Sequence, residues 1–136
     1  MIEQRTGYGI AVSVRLPYDQ AVERIRAELA KEGFGVLTEI DVRATLKKKI
    51  DAEFRPYLII GACNPALAHK ALTAEIDIGL MLPCNVIVYE ADTPGESVIA
   101  AMDPIPALDL AGNTAIRPVA EEARLRLVRA LEGTQQ

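Results

Sequence analysis

Two Cys-Asn pairs and a lone histidine carry most of the reactive chemistry that this sequence offers. One pair is Cys63-Asn64, the other is Cys84-Asn85, and His69, the single histidine of the chain, lies between them. Thiolates and imidazole are preferred ligands of zinc and other thiophilic metals. The same groups serve as nucleophile and base in covalent catalysis. These five residues form the candidate site.

The spacing of these residues restricts the kind of metal site that they can form. It matches no zinc-finger pattern and contains no C-x-x-C motif. A structural zinc ion takes four ligands, whereas Cys63, His69 and Cys84 supply three. The fourth would be Asp103, Glu90, water or a residue of a second subunit. The sequence therefore offers an incomplete ligand set for a thiophilic divalent metal.

Each of these residues also has a structural interpretation. Cysteine behaves as a small buried hydrophobe at strand ends, and asparagine satisfies backbone groups there or caps helices. Asn64 directly precedes Pro65, a residue suited to the first turn of a helix. Both interpretations remain open at the level of the sequence, so the elements that position these side chains decide between them.

Hydrophobic periodicity predicts five strands and four helices. The strands are expected at residues 9–16, 34–41, 55–63, 85–91 and 97–103. The first helix begins at Tyr18 and ends before Gly33, and Asp41 caps a short second helix. Asn64 caps the third helix, which begins at Pro65 and runs to about Glu75. The last helix carries an apolar stripe formed by Val119, Ala123, Leu127 and Leu131.

The order of these elements predicts an α+β two-layer sandwich. Residues 92–96, DTPGE, form a turn that joins the last two strands into an antiparallel hairpin. The third strand is a continuous apolar run, which predicts a central strand covered on both faces. Helices are expected on one face of a mainly antiparallel sheet. Antiparallel pairing of the third and fourth strands would bring Cys63 and Cys84 to the same end of the sheet.

Composition indicates one cytoplasmic domain over residues 1–136. The net charge of −4 argues against sequence-independent binding of nucleic acid, which needs a basic surface. No apolar stretch is long enough for a membrane helix, and the N-terminus lacks the pattern of a signal peptide. Because cytoplasmic thiols stay reduced, no structural disulfide is expected.

Several segments resemble a known family. GFGVLTEIDV, LKKKI, RPYLIIGACNPALAHKAL and LMLPCNVIVYE are similar to the bacterial and archaeal family called domain of unknown function 302, and the similarity covers essentially the whole chain. The resemblance implies a TATA-binding-protein-like fold, with a curved antiparallel sheet and helices on one side, and often a dimer. It implies no established activity. Pro118 departs mildly from the pattern, since it should delay the start of the last helix.

Three functional hypotheses follow from these observations. The first is a small-ligand or metal-binding module with a pocket around Cys63, His69 and Cys84, flanked by Asn64 and Asn85. Its metal version places a thiophilic divalent metal on Cys63, His69 and Cys84. The second is a homodimeric interaction or scaffold protein whose cysteines are structural. The third is a thiol-dependent enzyme in which Cys63 or Cys84 is the nucleophile and His69 the base.

A homodimer is expected from the amount of apolar surface. Hydrophobic residues make up 50% of the chain, and the mean hydropathy is +0.14. The segment IGLMLP, residues 78–83, offers more apolar surface than one excursion of the chain can bury. Exposed patches of this kind mark interfaces.

Overall fold

The computed structural model describes all 136 residues and contains five β-strands, five α-helices and one 3-10 helix. In chain order these are β1 (Gly9–Val14), α1 (Tyr18–Lys31), β2 (Gly35–Asp41), α2 (Val42–Ile50), β3 (Tyr57–Cys63), α3 (Pro65–Ala74), the 3-10 helix (Ile76–Met81), β4 (Cys84–Glu90), β5 (Ser97–Met102), α4 (Pro104–Asp109) and α5 (Arg117–Gly133). The predicted succession of five strands and four helices is confirmed. The 3-10 helix and α4 are additional elements that the periodicity does not predict.

The five strands form one sheet in the order β1-β5-β4-β3-β2, and every neighbouring pair is antiparallel. The last two strands form the predicted hairpin, with Glu90 opposite Ser97 next to the turn. Long helices pack against the sheet from one side. The predicted α+β two-layer architecture with an antiparallel sheet is therefore confirmed.

A first hydrophobic cluster of 18 buried residues lies between the sheet and the helices α1 and α5. Alternate residues of each inner strand enter it, because successive side chains of a strand point to opposite faces. In β3 these are Leu58, Ile60 and Ala62, and the helices contribute Ile25 and Leu127 among others. This cluster fixes which strand residues face the helices.

The other side of the sheet, called the outer face below, carries the alternate strand residues. The prediction that β3 is covered on both faces is wrong, because Tyr57 and Ile59 are only half-buried there. Ile59 lies opposite Ile40 on one neighbouring strand and Ile87 on the other. These cross-strand contacts between apolar side chains explain the continuous apolar run without a second helical layer.

A second, smaller cluster of eight buried residues joins α3, the 3-10 helix, α4 and the first half of α5. Val119, Ala120 and Ala123 of α5 belong to it, whereas Leu127 and Leu131 of the same helix belong to the first cluster. The predicted stripe of α5 is thus confirmed, and it divides between two clusters.

Side-chain caps begin three of the helices. Asp41 accepts a hydrogen bond from the backbone of Ala44 at 2.9 Å, and Asn64 accepts one from Leu67 at 3.2 Å. Asp103 caps α4 in the same way, through the backbone N–H of Ile105. The two caps predicted from the sequence, Asp41 and Asn64, are confirmed.

The longest helix, α5, has 17 residues and begins at Arg117, with Pro118 in its first turn. Proline is tolerated there because the N–H groups of the first turn have no partner within the helix. None of the helices combines the length and the apolar character that crossing a bilayer requires.

Candidate functional site

Antiparallel pairing of β3 with β4 brings the two cysteines to one end of the sheet. Ala62 lies directly opposite Cys84, and Cys63 is the next residue along β3. Both cysteines are free thiols, and both line the same cavity. The proximity that the sequence predicts from strand direction is therefore present in the structure.

The cavity has a volume of about 320 Å³ and lies in the seam between the two hydrophobic clusters, so it is called the seam cavity below. Thirteen of its sixteen lining residues are hydrophobic. Phe34 and Ala62 come from the first cluster; the second contributes Leu67, Ala71, Leu108, Val119 and Ala123. The space exists because α5 packs on both clusters while the clusters do not close against each other.

Residues of β2 and the 3-10 helix form the rim of the seam cavity. The register of β2 against β3 shifts between Val36 and Thr38, which leaves Leu37 without a partner on β3. A bulge of this kind turns a side chain out of the regular alternation. Leu37 lines the cavity while 64% of it stays exposed, and exposed Gly79 lies on the rim as well. Solvent therefore reaches the cavity at these residues.

The thiol of Cys84 is neutral at physiological pH. Burial raises its pKa to about 11, and the nearby thiol of Cys63 contributes in the same direction. Only the thiolate is a good nucleophile or metal ligand. Cys63 is half-buried and is the more accessible of the two. Cys84 therefore presents a small, weakly polar S–H group to the cavity.

Asn64 has a structural role at the edge of the seam cavity. Its side-chain oxygen caps α3, and its side-chain nitrogen donates to the carbonyl of Glu32 at 3.4 Å. Gly33, with a φ of 83°, lies against this amide, and a Cβ there would approach the nitrogen to 3.0 Å. Both ends of the amide are engaged within the protein, which supports the capping interpretation. Asn64 also forms part of the cavity wall.

His69 does not join the cysteines. It is exposed on α3, whereas the seam cavity is lined by Leu67, Ala68, Ala71 and Leu72 of the same helix. Side chains on a helix repeat every three to four residues, so a residue between these positions points elsewhere. The seam cavity therefore does not include His69, unlike the pocket predicted from the sequence.

The three-ligand metal site is not assembled in this structure. No group of three or more His, Cys, Asp or Glu side chains is placed to hold a metal ion. The two carboxylates considered as a further ligand lie elsewhere: Asp103 caps α4 and pairs with Arg124, and Glu90 ends β4 opposite Ser97. The expected set of Cys63, His69 and Cys84 is thus corrected to a pair of thiols.

Asn85 is separated from Cys84 by the alternation of the strand. Cys84 is buried towards the helices, whereas exposed Asn85 points to the outer face and lines a different cavity. The expectation that Asn64 and Asn85 flank one pocket is wrong for this reason. A period of two in β4 was visible in the sequence, and it places consecutive residues on opposite faces.

Sequence reasoning missed the apolar walls of the seam cavity. Ala68, Ala71 and Leu72 of α3 line it together with Leu37. A signal was present, because small alanines on the inward face of a short helix leave space next to the sheet. The contribution of Leu37 depends on the bulge in β2, which no local sequence pattern indicates.

Comparisons with known proteins agree with this fold. A family model described as Domain of unknown function DUF302 matches residues 10–134. A crystal structure of the uncharacterized conserved protein DUF302 from Bacillus stearothermophilus is similar over 96% of this chain and 100% of that chain, with 27% identity and a TM-score of 0.88. A search among curated proteins finds no match.

Proposed function

This chain belongs to the DUF302 family, and we propose that it is a small-ligand-binding module whose ligand occupies the seam cavity. One observation carries the proposal: a cavity of about 320 Å³, lined almost entirely by hydrophobic residues, separates the two clusters of one domain. Protein interiors are normally packed to the density of organic crystals. A space of this size between clusters is therefore a candidate binding site.

The lining supports a small and mainly apolar ligand. Ligand pockets range over about 300–1,000 Å³ and combine apolar walls with few polar groups, and this cavity lies at the lower end of that range. No ionised side chain lines it. A charged ligand would lose its hydration there without gaining a partner. We therefore propose a neutral aliphatic or aromatic compound.

The two thiols give the cavity its only chemically distinctive groups besides the engaged Asn64. Cys84, held neutral by burial, can contact a polarisable or weakly polar part of the ligand. A thiol-dependent enzyme finds no support in this geometry, since His69 is exposed and lines neither the seam cavity nor the cavity that contains Asn85. The thiols are proposed to contribute to binding and not to catalysis.

The experiment is NMR titration of the ¹⁵N-labelled chain with short alcohols and substituted benzenes. We expect shifts at the amides of Cys63, Ala68 and Ala71, with dissociation constants below about 1 mM for the best compounds. Ala68→Phe should fill the cavity and abolish these shifts. Ala66→Phe, on the exposed side of the same helix, is the matched control and should bind as the wild type does.

Two results would overturn the proposal. One is the absence of binding by every compound in the series, with the folded spectrum intact. The other is binding that persists unchanged in Ala68→Phe, because the ligand would then lie elsewhere on the molecule.

A homodimer is a second candidate, favoured by the exposure of β2 and α2. All seven residues of β2 are exposed, and α2 contributes no buried residue. Of the eleven large hydrophobic residues that are exposed, five lie between positions 36 and 54: Val36, Leu37, Ile40, Ile50 and Phe54. A short isolated helix is marginal in water, so packing against a second copy would stabilise α2.

The edges of the sheet favour a closed pair of subunits. The free edge of β2 can pair with the same edge of a second copy, as twofold symmetry requires. The opposite edge, β1, is partly covered by the bridge between Glu3 and Ala11. One free edge limits the extension of the sheet to two copies. Leu80 lies in the segment 78–83 and Ile76 lies just before it. Both are exposed as well and offer an alternative contact.

Sedimentation equilibrium tests the dimer. We expect a mass near twice 14.8 kDa at micromolar concentration. Ile40→Lys should dissociate the dimer, whereas Leu125→Lys, an exposed leucine on α5, should leave it intact. A wild type that sediments as a monomer would overturn the proposal, and dissociation by Leu80→Lys alone would move the interface to the 3-10 helix.

The cytoplasm is the proposed location. The support is that Cys63 and Cys84 are both free although they lie near each other. Disulfides are common in oxidising compartments and rare in the cytosol. Alkylation of both thiols in cells lysed directly into denaturant, without added reductant, tests this proposal, because unfolding exposes the buried Cys84. Finding the thiols oxidised would contradict it.

A further inference from the structure

A second cavity, of about 390 Å³, lies on the outer face of the sheet. It is bounded by the N-terminal segment, residues 5–9, and by the strands β1, β5 and β4. None of its lining residues lines the seam cavity. It is called the outer cavity below, and it is independent of the proposed function.

Small residues in one row of the sheet create the outer cavity. Ala11 of β1 lies opposite Ala100 of β5, which lies opposite Ile87 of β4. The adjacent residues on this face are larger: Tyr89 lies on one side of the row and Met102 on the other, and both line the cavity. Methyl groups between large side chains leave an elongated apolar floor, because side chains of one face stand next to each other across strands.

Arg5 supplies the charge of the outer cavity and is its only ionised lining residue. Its guanidinium donates to Glu3 at 2.7 Å, to the hydroxyl of Ser13 at 2.9 Å and to the hydroxyl of Tyr89 at 3.5 Å. A guanidinium has five N–H groups, so these three bonds leave two free. Its position is fixed by both β1 and β4, while donors remain for another acceptor.

Asn85 adds an unengaged amide to the same cavity. Its side chain forms no hydrogen bond within the protein and is exposed, and it lies on the strand that supplies Ile87 and Tyr89. An apolar floor between a cation and a free amide suits a molecule that has an apolar body and an acidic end. Arginine recognises carboxylates through paired, charge-assisted hydrogen bonds.

We propose that the outer cavity binds a small aromatic carboxylate. The ring lies on the Ala11–Ala100–Ile87 row beside Tyr89, and the carboxylate accepts from the two free N–H groups of Arg5. One face of the Tyr89 ring is stacked on Tyr57, with 5.4 Å between the ring centroids. The ligand therefore contacts the other face or the edge of Tyr89, and such aromatic contacts favour an aromatic body over an aliphatic one. Asn85 hydrogen-bonds to a polar substituent of the ring. Glu3 keeps its bond to Nε and remains outside, so the ligand does not have to displace it.

The test uses benzoate as the probe and benzamide as its neutral counterpart, with the folded chain followed by NMR. Benzoate is expected to shift the amides of Ala11, Ile87 and Ala100, and benzamide to bind at least about tenfold more weakly. Arg5→Gln should weaken benzoate binding by a similar factor. Arg15→Gln removes an exposed arginine outside the outer cavity and should change nothing.

A steric variant separates the outer cavity from the seam cavity. Ala100→Leu fills the floor and should abolish benzoate binding, whereas Ala44→Leu, at an exposed alanine of α2, should not. Neutral probes of the seam cavity should bind Arg5→Gln as they bind the wild type. The proposal is overturned if benzoate leaves these three amides unshifted, or if benzoate and benzamide bind equally well. Equal affinity of Arg5→Gln and the wild type for benzoate also overturns it.

Discussion

Cys84 lies directly opposite Ala62 in the antiparallel pair of β4 with β3, so its thiol is buried towards the helices while Cys63 ends the neighbouring strand half-buried. The two thiols are close in space and differ in environment. We expect a thiol reagent at pH 8 to modify Cys63 well before Cys84, because burial raises the pKa of Cys84 and limits access. Mass spectrometry of partly alkylated protein gives the order, and faster modification of Cys84 would contradict this account.

The same thiol makes stability depend on pH in the alkaline range. Burial raises the pKa of Cys84 to about 11, so the folded state favours the neutral thiol more than the unfolded chain does. This contribution is complete below the ordinary thiol pKa near 9 and is lost as pH rises towards 11. Its full size is about 3 kcal/mol. Urea unfolding of the wild type should lose about 2 kcal/mol relative to Cys84→Ala between pH 8.5 and 10.5.

Cys63→Ala is the control for this measurement and should retain most of the pH dependence of the wild type. Equal slopes for the wild type and Cys84→Ala would show that the buried thiol does not contribute.

Gly61 leaves the space that the side chains of Thr38 and Pro83 occupy. A Cβ at this position would meet the hydroxyl of Thr38 on β2 and come within 3.0 Å of Cγ of Pro83. We expect Gly61→Ala to lower the free energy of unfolding by about 1–3 kcal/mol. Thr38→Ala in the same chain should restore part of the loss, since the two sites share the contact. Gly7→Ala, with open space around it, is the neutral control; chemical denaturation measures all four.

Asp103 combines a helix cap with a partly buried ion pair. Its carboxylate is 5% exposed, accepts from the backbone of Ile105 and pairs with Arg124 at 3.2 Å. Asp103→Ala should lower the free energy of unfolding by about 2 kcal/mol, because a cap and a charge-assisted hydrogen bond are lost together. Asp109→Ala, which removes an exposed pair with Arg117, should cost less than about 1 kcal/mol. Equal costs would show that burial of Asp103 is unimportant.

Asp41 should control the local stability of α2. This helix has no buried residue, so its cap is a larger share of what holds it. Asp41→Ala removes the bond to the backbone of Ala44 and should cost about 1 kcal/mol, whereas Asp41→Asn should cost less. Hydrogen exchange would show faster exchange confined to residues 42–50. Unchanged protection there would mean that packing, and not the cap, maintains the helix.

The elements of this fold could be predicted from local patterns. The stripe of α1, the caps Asp41 and Asn64 and the alternation of β1 each depend on residues close together in the sequence. Periodicity and capping act over a few residues, so they are visible without a structure. The antiparallel hairpin of β4 and β5 followed from the turn at residues 92–96 in the same way.

The candidate site was predicted only in part. The proximity of Cys63 and Cys84 followed from strand direction, whereas the inclusion of His69 and Asn85 assumed that neighbours in sequence face one way. His69 lies on the exposed side of α3, and Asn85 on the outer face of the sheet. Their separation follows from the rotation of the helix and the alternation of the strand.

The sequence by itself determined the α+β class, the strand and helix order and the shared position of the two thiols, because these depend on local periodicity and on short connections. Only the tertiary structure decided that α5 packs on two clusters that do not meet, and that the bulge at Leu37 forms part of the rim. Both depend on contacts between residues far apart in the chain: the contacts of α5 with α1 and α3, and the pairing of Thr38 with Gly61 beside the bulge. The volume between packed elements is set by all of them at once, so no local pattern records it.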